Sequence, residues 1–259
     1  MTDRKDSYIL RPLTKSDIPT CARIAGLAFE SDRQTQFKAR SPSDPYDHEA
    51  GMQGALAYWL NQSPGMMDLT VAEDASTKTV IGWVAWVYRG FNSAESHARR
   101  ERELKQLHDD HTQDNQPIPP SPMEESTTSE ISARARLEKY TGEHLDVWMK
   151  RLMPLGTKCM YVSSIVVHPS HQGKGIGSAL IHRGIAQADE EKVYCWVHAS
   201  EYGAKVFERQ GFESVGKLEL DLDRWNTEGV VPPDGSRWGI YTFKYMRRPP
   251  VANLSTQKA

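Results

Sequence analysis

Cysteine is scarce in this chain of 259 residues, and its three thiols, Cys21, Cys159 and Cys195, lie far apart. An odd number of cysteines without a CxxC pair argues against a disulfide framework and against a thiolate zinc site. We therefore expect three reduced, buried thiols. The nine histidines are scattered too, and none forms an HxxxH or HExxH motif. The group HDDH at 108–111 fits a solvated helix end, so the sequence predicts no metal site.

Long apolar runs are also lacking, because no window approaches the roughly 18 apolar residues that a membrane-spanning helix needs. The first ten residues, MTDRKDSYIL, have no apolar segment, so we expect no signal peptide and a cytoplasmic location. Neither sign of charge is in excess: the net charge is −2 and the pI about 6.5, which favours neither nucleic acid nor an anionic membrane as partner. The length suits one large domain or two small ones.

Hydrophobic periodicity predicts a mixed order of strands and helices. Strands are predicted over 8–13, 68–74, 79–90, 159–167, 193–199, 214–222 and 239–248. Helices are predicted over 14–29, 48–62, 175–190 and 201–210. The second and third strands fit an antiparallel hairpin, since only four residues separate them. A stretch rich in Ser, Pro and Asp at 41–47 breaks the pattern between the first two helices.

Residues 91–156 differ in composition from the rest of the chain. A densely charged run is followed by a Pro/Ser-rich stretch, and a helical pattern returns at 129–152. We predict a helical insertion within a single domain, 1–248, in which two helices are joined by a mobile connector at 112–128. The tail, 249–259, is expected to be disordered.

A glycine-rich segment joins the predicted strand 159–167 to the helix that follows it. It runs from His168 to Ser178 as HPSHQGKGIGS, with every second residue from 173 to 177 a glycine. Such glycines let a backbone approach a ligand closely, and the free N–H groups of a first helical turn attract an anion. The segment therefore predicts a phosphate site built from main-chain donors. Neither GxGxxG nor the GK[ST] of a P-loop is present, which excludes those two alternatives.

The complete pattern resembles motifs A and B of the GNAT superfamily of acyl-CoA-dependent N-acyltransferases. The motif [RQ]-x-x-G-x-[GA] is matched by residues 172–177, and Gly211-Phe212 matches the end of motif B. The close resemblance covers 159–212, and a weaker one covers the order of elements along the chain. It implies an α/β fold with a mixed, mostly antiparallel, splayed sheet of about seven strands flanked by helices, split between 159–167 and 193–199.

The resemblance also implies a reaction, the direct transfer of an acetyl group from acetyl-CoA to a primary amine. No cysteine lies in a nucleophile context, so we expect no acyl-enzyme. The residues that would bind coenzyme A, mostly through the main chain, are Ile165, Val166, Val167, Gln172, Gly173, Lys174, Gly175, Ile176, Gly177, Ser178 and Ser200. Glu30 and Asp32 stand where the family commonly lines its acceptor site, and we expect the insertion helices to lie over that side.

Two positions depart from the family pattern. Phe207 replaces a tyrosine that protonates the leaving thiolate in many members, and Tyr161 replaces the glutamate of histone-type members. The remaining catalytic candidates are His198, on a strand near the cleft, and Tyr202. A structural role is the alternative for His198, and core packing is the alternative for Tyr202 and its neighbour Tyr194. Positioning of the reactants can supply much of the acceleration without either family residue.

These departures leave other functions open. An inactive acyl-CoA-binding sensor or interaction module would also keep the glycine motif, and transfer of a longer acyl chain is a further alternative. The sequence does not choose among small amines, aminoglycosides, polyamines, arylalkylamines, peptide N-termini and lysine as acceptor. We expect a small-molecule or peptide amine as partner, and a homodimer stays open.

Overall fold

The computed structural model describes residues 7–62, 65–91 and 131–251. Within those ranges, seven strands form one sheet and seven helices flank it. The strands are β1 Tyr8–Pro12, β2 Met67–Asp74, β3 Val80–Arg89, β4 Cys159–Val167, β5 Cys195–Ala199, β6 Glu213–Asp221 and β7 Ile240–Arg248. The helices are α1 Ile18–Phe29, α2 Arg33–Ala39, α3 His48–Leu60, α4 Ala133–Leu152, α5 Ile176–Glu190, α6 Glu201–Glu208 and α7 Leu222–Trp225.

The strands lie in the order β1-β2-β3-β4-β5-β7-β6. All neighbours are antiparallel except β4 and β5, which are parallel. The mixed, mostly antiparallel sheet predicted from the sequence is therefore confirmed, and so is the hairpin of β2 and β3. The pairing of strands far apart in the chain brings the sequence motif to the middle of the sheet.

The sheet opens between β4 and β5. Their parallel pairing covers three positions and ends at Val162 opposite Val197. Beyond that point β4 stays paired with β3 and β5 stays paired with β7. Ser163 forms a bulge in β4, because Trp86 pairs with Val162 while Ala85 pairs with Ser164. A bulge bends its strand, which separates the two strands here. We call the gap between 163–167 and 198–199 the fork.

Helices cover both faces of the sheet. On one face α5 and α6 pack on β3, β4 and β5, and the buried contacts include Leu180, Ile181 and Phe207. On the other face α1 and α3 bury Cys21 and Leu56 against β2 and β3. The helix α4 covers β6 and β7 on that same second face, together with α2. The fork therefore lies between two layers of helices, one on each face of the sheet.

Close approach of α5 to the sheet depends on one glycine inside the helix. A Cβ atom added to Gly184 would lie 2.0 Å from Cε2 of Trp86, which is buried on β3. Any side chain at this position would push the helix or the indole away. The absence of a side chain at Gly184 thus sets the distance between α5 and the sheet. That distance also sets where the start of α5 lies at the fork.

The second predicted insertion helix is confirmed as α4, and Ser132 caps it by accepting a hydrogen bond from the Ala135 N–H at 3.0 Å. The first insertion helix and the connector 112–128 fall outside the described residues, as does most of the predicted tail. Two short helices were not predicted, α2 and α7. They span seven and four residues, which is too short for a clear apolar periodicity.

The three cysteines are buried and unpaired, as predicted. Burial raises the pKa of the Cys195 thiol to about 12 and raises that of Cys159 as well. Such thiols are protonated and unreactive at neutral pH. None of the helices in the described ranges combines the length and the apolar character that crossing a membrane requires.

Candidate active site

A cavity of about 460 Å³ opens at the fork. Its walls come from the end of β4, the glycine loop 172–175, the starts of α5 and α6, and the end of α1. The cavity therefore connects the face covered by α5 and α6 with the face covered by α1. Residues that are close in sequence form one wall, and residues from the distant α1 form the other.

The glycine loop is shaped by two left-handed residues. Gly173 has φ 74° and Gly175 has φ 86°, values that side chains rarely tolerate. Gly175 is the N-cap of α5, and its carbonyl accepts the first helical bond, from Ala179 N–H at 3.0 Å. The N–H groups of residues 176–178 precede that bond and line the cavity without intrahelical partners. Free N–H groups at a helix start attract anions, and the phosphate site itself stays a prediction.

The edge of β4 supplies main-chain groups to the fork. The His168 N–H donates to the Ile81 carbonyl at 2.9 Å, on the β3 side. Main-chain groups alternate in direction along a strand, so those of Ile165 and Val167 point to the fork. The Val167 carbonyl already accepts a hydrogen bond from Gln172 Nε2 at 3.1 Å, which fastens the loop to the strand. Val166 differs, because its side chain is buried in the core under α1.

The side chains of the loop divide into those that reach the cavity and those that do not. Lys174 is exposed and is not among the cavity-lining residues, so its side chain does not reach the cavity. His171 does line the cavity, although the sequence interpretation missed it. Burial, followed by the charge of Lys174, lowers the pKa of His171. Nothing in the sequence around His171, apart from its place in the glycine loop, indicated that it would line a cavity.

The start of α6 forms the wall opposite the glycine loop. Ser200 lines the cavity and caps α6, with its Oγ accepting from the Gly203 N–H at 3.3 Å. Tyr202 lines the cavity and is 66% exposed, so the alternative of core packing is wrong for this residue. The same alternative is correct for Tyr194, whose hydroxyl donates to the Leu152 carbonyl. Phe207 lies in the cavity wall and is otherwise buried.

The two predicted acceptor carboxylates lie in different places. Asp32 lines the cavity but is 4% exposed, and its carboxylate accepts from Thr35 N at 2.9 Å and from Tyr241 Oη at 2.7 Å. It therefore caps α2 and anchors β7, roles that its sequence position did not reveal. Glu30 lines a neighbouring groove instead, which shares Phe29 with the cavity.

His198 is the first residue of β5 beyond the last pair with β4. Its ring stacks on Tyr245 at a centroid distance of 4.8 Å and an angle of 11°, and its Nε2 is buried without a partner among the described residues. Burial, with a smaller effect of His144, lowers the pKa of His198 to about 4. The ring is therefore neutral at pH 7, and it is a weaker base than an exposed histidine.

Tyr161 stands where a glutamate is found in histone-type members. Its ring stacks on Trp196 at 5.1 Å, and burial raises its pKa. It is thus a protonated, packed side chain. In the described part of the chain, no three His, Cys, Asp or Glu side chains are placed to hold a metal ion together.

Comparison with solved structures shows the same fold at low sequence identity. Arylalkylamine N-acetyltransferase 2 from Aedes aegypti has a TM-score of 0.53 and 12% identity, over 94% of this chain and 99% of that one. Polyamine N-acetyltransferase from Drosophila melanogaster has a TM-score of 0.52 and 13% identity, over 93% and 99%. A structure described as histone acetyltransferase HPA2 and related acetyltransferase, from Corynebacterium glutamicum, has a TM-score of 0.50 and 16% identity, over 96% and 99%.

A search of curated protein sequences finds no match to this chain. The model of the acetyltransferase (GNAT) family matches residues 33–212, which is more than half of the chain. The matched range contains the glycine loop, both sides of the fork and the Gly-Phe at 211–212. Together with the splayed sheet and the loop geometry, this match shows that the chain belongs to the GNAT acetyltransferase family.

Proposed function

We propose that this protein transfers an acetyl group from acetyl-CoA to the primary amine of a small molecule, in the cavity at the fork. One observation carries the proposal: unpaired main-chain groups line the same cavity at two places, the first turn of α5 and the free edge of β4. The first suits a pyrophosphate and the second suits an extended amide-containing arm. Coenzyme A contains both groups in that order.

The substrate would enter with its thioester between the strands. The pyrophosphate would bind at the N–H groups of residues 173–178. The pantetheine arm would pair with the main chain of Ile165 and with the N–H of Val167, whose carbonyl already accepts from Gln172. The thioester would then lie at the fork, between Ser163–Ser164 and His198. An amine from the α1 face would reach the carbonyl from the opposite side, which favours direct attack in a ternary complex.

The protein contributes position more than reactive groups. The buried thiols have raised pKa values and lie in the core, so they do not offer a nucleophile. The amine nitrogen forms the new C–N bond, the C–S bond breaks, and coenzyme A leaves as a thiolate. This thiolate is a fair leaving group, since the pKa of a thiol is about 8.5.

The chemical class of the amine acceptor has less support from the structure than the acetyl-CoA donor has. Two of the similar structures are named for arylalkylamine and polyamine acetylation, and both kinds of acceptor are small amines. The α1 face at the fork carries aromatic rings on β7, and Glu30 lies in the adjoining groove. We propose a small amine acceptor, a cytoplasmic location, and a single domain over 1–248 that includes the 91–156 insertion.

The proposed function is tested by two measurements on the purified chain. Acetyl-CoA should raise the melting temperature, because it binds the folded state. A panel of arylalkylamines, polyamines, aminoglycosides and lysine peptides should then show release of free thiol with at least one member. A panel with longer acyl-CoA donors separates acetyl transfer from transfer of longer chains.

An inactive acyl-CoA sensor is the second candidate, and Phe207 favours it. This residue lines the cavity at the position of the tyrosine that donates a proton in many family members, and phenylalanine has no proton to donate. A melting shift with acetyl-CoA but no thiol release from any amine would support the sensor and contradict the enzyme. No shift with any acyl-CoA would contradict both.

A further inference from the structure

The insertion helix α4 places two aromatic side chains on one face, one helical turn apart. His144 and Trp148 are separated by four residues, so both point toward β7. Nδ1 of His144 lies 2.9 Å from Oη of Tyr245, within a hydrogen bond. The ring of Trp148 stacks on the ring of Tyr245 at 4.6 Å and 12°. The helix thus holds Tyr245 by its hydroxyl and by its face.

His198 lies on the opposite side of Tyr245 from Trp148, because it pairs with Tyr245 from β5, whereas Gly216, which Trp148 covers, pairs with Tyr245 from β6. Both ring pairs are almost parallel, so Trp148, Tyr245 and His198 form a continuous stack from α4 to the fork. Phe243, the next residue on that face of β7, contacts the imidazole at 4.4 Å. The imidazole is therefore confined by aromatic rings, and its orientation depends on where Tyr245 is held.

Packing in the core does not account for the Nε2 atom of the imidazole. Its Nε2 is buried with no partner among the described residues, and a buried polar atom without a hydrogen bond is costly. His198 is also the residue at which β5 leaves β4. An amine that enters the fork from this face would supply the missing hydrogen bond.

We propose that α4 positions His198 through Tyr245, so that Nε2 of His198 accepts the proton released by the attacking amine. His144 and Trp148 are positioning residues in this arrangement, and the inference rests on the proposed acetyl transfer. The titratable groups that face His198 are Tyr245 on β7 and, behind it, His144 on α4. The carboxylate of Asp32 bonds Tyr241, four residues away along β7.

The step balances with the groups named. The amine nitrogen attacks the thioester carbonyl, the C–N bond forms and the C–S bond breaks. One proton passes from the amine nitrogen to Nε2, and from Nε2 to the departing thiolate or to water. An amine that arrives as ammonium first loses one further proton to water. No oxidant, reductant or metal ion takes part.

Two glycine-to-alanine variants test the positioning without touching His198. A Cβ atom at Gly216 on β6 would lie 2.2 Å from Cζ2 of Trp148, so Gly216→Ala must displace the indole. Gly142→Ala, on α4 itself, meets nothing within 4 Å and is the matched control. We expect Gly216→Ala to lower kcat about 10-fold or more, with the KM for acetyl-CoA unchanged, because misplacement affects the reacting geometry. The control should keep its kcat.

A second pair of variants separates positioning from packing. His144→Asn retains a hydrogen-bonding atom near the place of Nδ1, whereas His144→Leu does not. We expect the leucine variant to lose kcat and the asparagine variant to recover most of it. His198→Gln should lower kcat about 100-fold, the usual contribution of a general base, while the melting shift with acetyl-CoA persists.

Proton NMR of the His198 ring reports the stack independently of turnover. In the wild-type chain the ring protons should be shifted upfield by Tyr245 and Phe243, and Gly216→Ala should reduce that shift. A lost shift with unchanged kcat would overturn the positioning role, and so would an unchanged kcat in His198→Gln. A wild-type chain that binds acetyl-CoA but acetylates no amine would overturn the proposed function instead, and the catalytic role of His198 with it.

Discussion

The two sides of the fork are built in different ways. The proposed phosphate side, which comprises the loop 172–175 and the first turn of α5, is one continuous segment that presents main-chain groups to the cavity. The acceptor side, the face covered by α1, α2 and α4, gathers side chains that are more than 200 residues apart, such as Asp32 and Tyr241. The first needs a local backbone shape, and the second needs the whole fold.

The electrostatics of the two sides differ as well. On the phosphate side, helix N–H groups and their dipole face the cavity and need no ionised side chain. On the acceptor side, burial lowers the pKa values of His198 and His48 to about 4 and raises that of Tyr241. Buried histidines on the acceptor side make the stability of the fold sensitive to pH between about 4 and 6.5.

The largest expected effect is therefore a loss of stability on mild acidification. His48 and His198 have folded pKa values of about 4, below the ordinary 6.5. The unfolded chain binds more protons between these values, so the stabilisation is complete above pH 6.5 and is lost as the pH falls to about 4. Each site should cost on the order of 2–3 kcal/mol, measured as the free energy of unfolding in urea.

Histidine variants test whether this loss of stability comes from the acceptor side. His198→Asn and His48→Gln should each flatten the dependence between pH 6.5 and 4, while His182→Gln, at an exposed position on α5, serves as the control. The carboxylates with lowered pKa, such as Asp17 and Asp189, stabilise the fold above their ordinary pKa of 3.8, so their stabilising effect is lost only below that pH. An unchanged slope in both histidine variants would show that these rings are not buried as described.

The next effect concerns the phosphate side. Gly177 is inside α5, lines the cavity and lacks the positive φ of Gly175, so a side chain there causes no backbone strain. Gly177→Glu should abolish binding of acetyl-CoA, which at 100 times its Kd stabilises the wild-type chain by about 2.7 kcal/mol. Gly177→Ala adds no charge and should keep most of the melting shift. An unchanged shift in the glutamate variant would contradict the location of the phosphate site.

A smaller effect is expected at the contact between α2, on the acceptor side, and α6. Arg33, the first residue of α2, bonds Glu201 at the start of α6 at 2.8 Å and the carbonyls of Trp238 and Ile240 at 2.6 and 2.8 Å. Arg33→Ala should lower the free energy of unfolding by about 1–2 kcal/mol, since the guanidinium is partly exposed. Arg224→Ala, an 86% exposed arginine near Asp221, should change it by less than about 0.5 kcal/mol. Equal losses of unfolding free energy in the two variants would show that Arg33 stabilises the fold no more than an exposed arginine does.

The smallest effect is expected at Phe207. The ring packs on Phe212 at 5.2 Å and lines the cavity. If thiolate departure needs no acid here, Phe207→Tyr should leave kcat unchanged or raise it, because the added hydroxyl would extend into the cavity. The measurement is turnover with the best acceptor of the panel. A large loss of kcat with acetyl-CoA binding intact would show that Phe207 contacts the acceptor.

Elements with a strong local signal were predicted well from the sequence. The strand β4, the glycine loop and α5 follow from a β-branched run, alternate glycines and a helical apolar pattern. The hairpin of β2 and β3 follows from two β-rich runs with a short turn. The helix α2 escaped because seven residues with little apolar character show no period, although Asp32 does cap its start.

The sequence by itself determined the family, the order of the elements and the glycine loop, because each depends on contiguous residues and short-range geometry. Only the tertiary structure decided the acceptor side. It showed that Asp32 is occupied by Thr35 and Tyr241, that Tyr202 is exposed in the cavity, and that α4 reaches His198 through Tyr245. Those roles depend on strand register and helix packing between distant segments, and no local pattern of residues encodes which of them will meet.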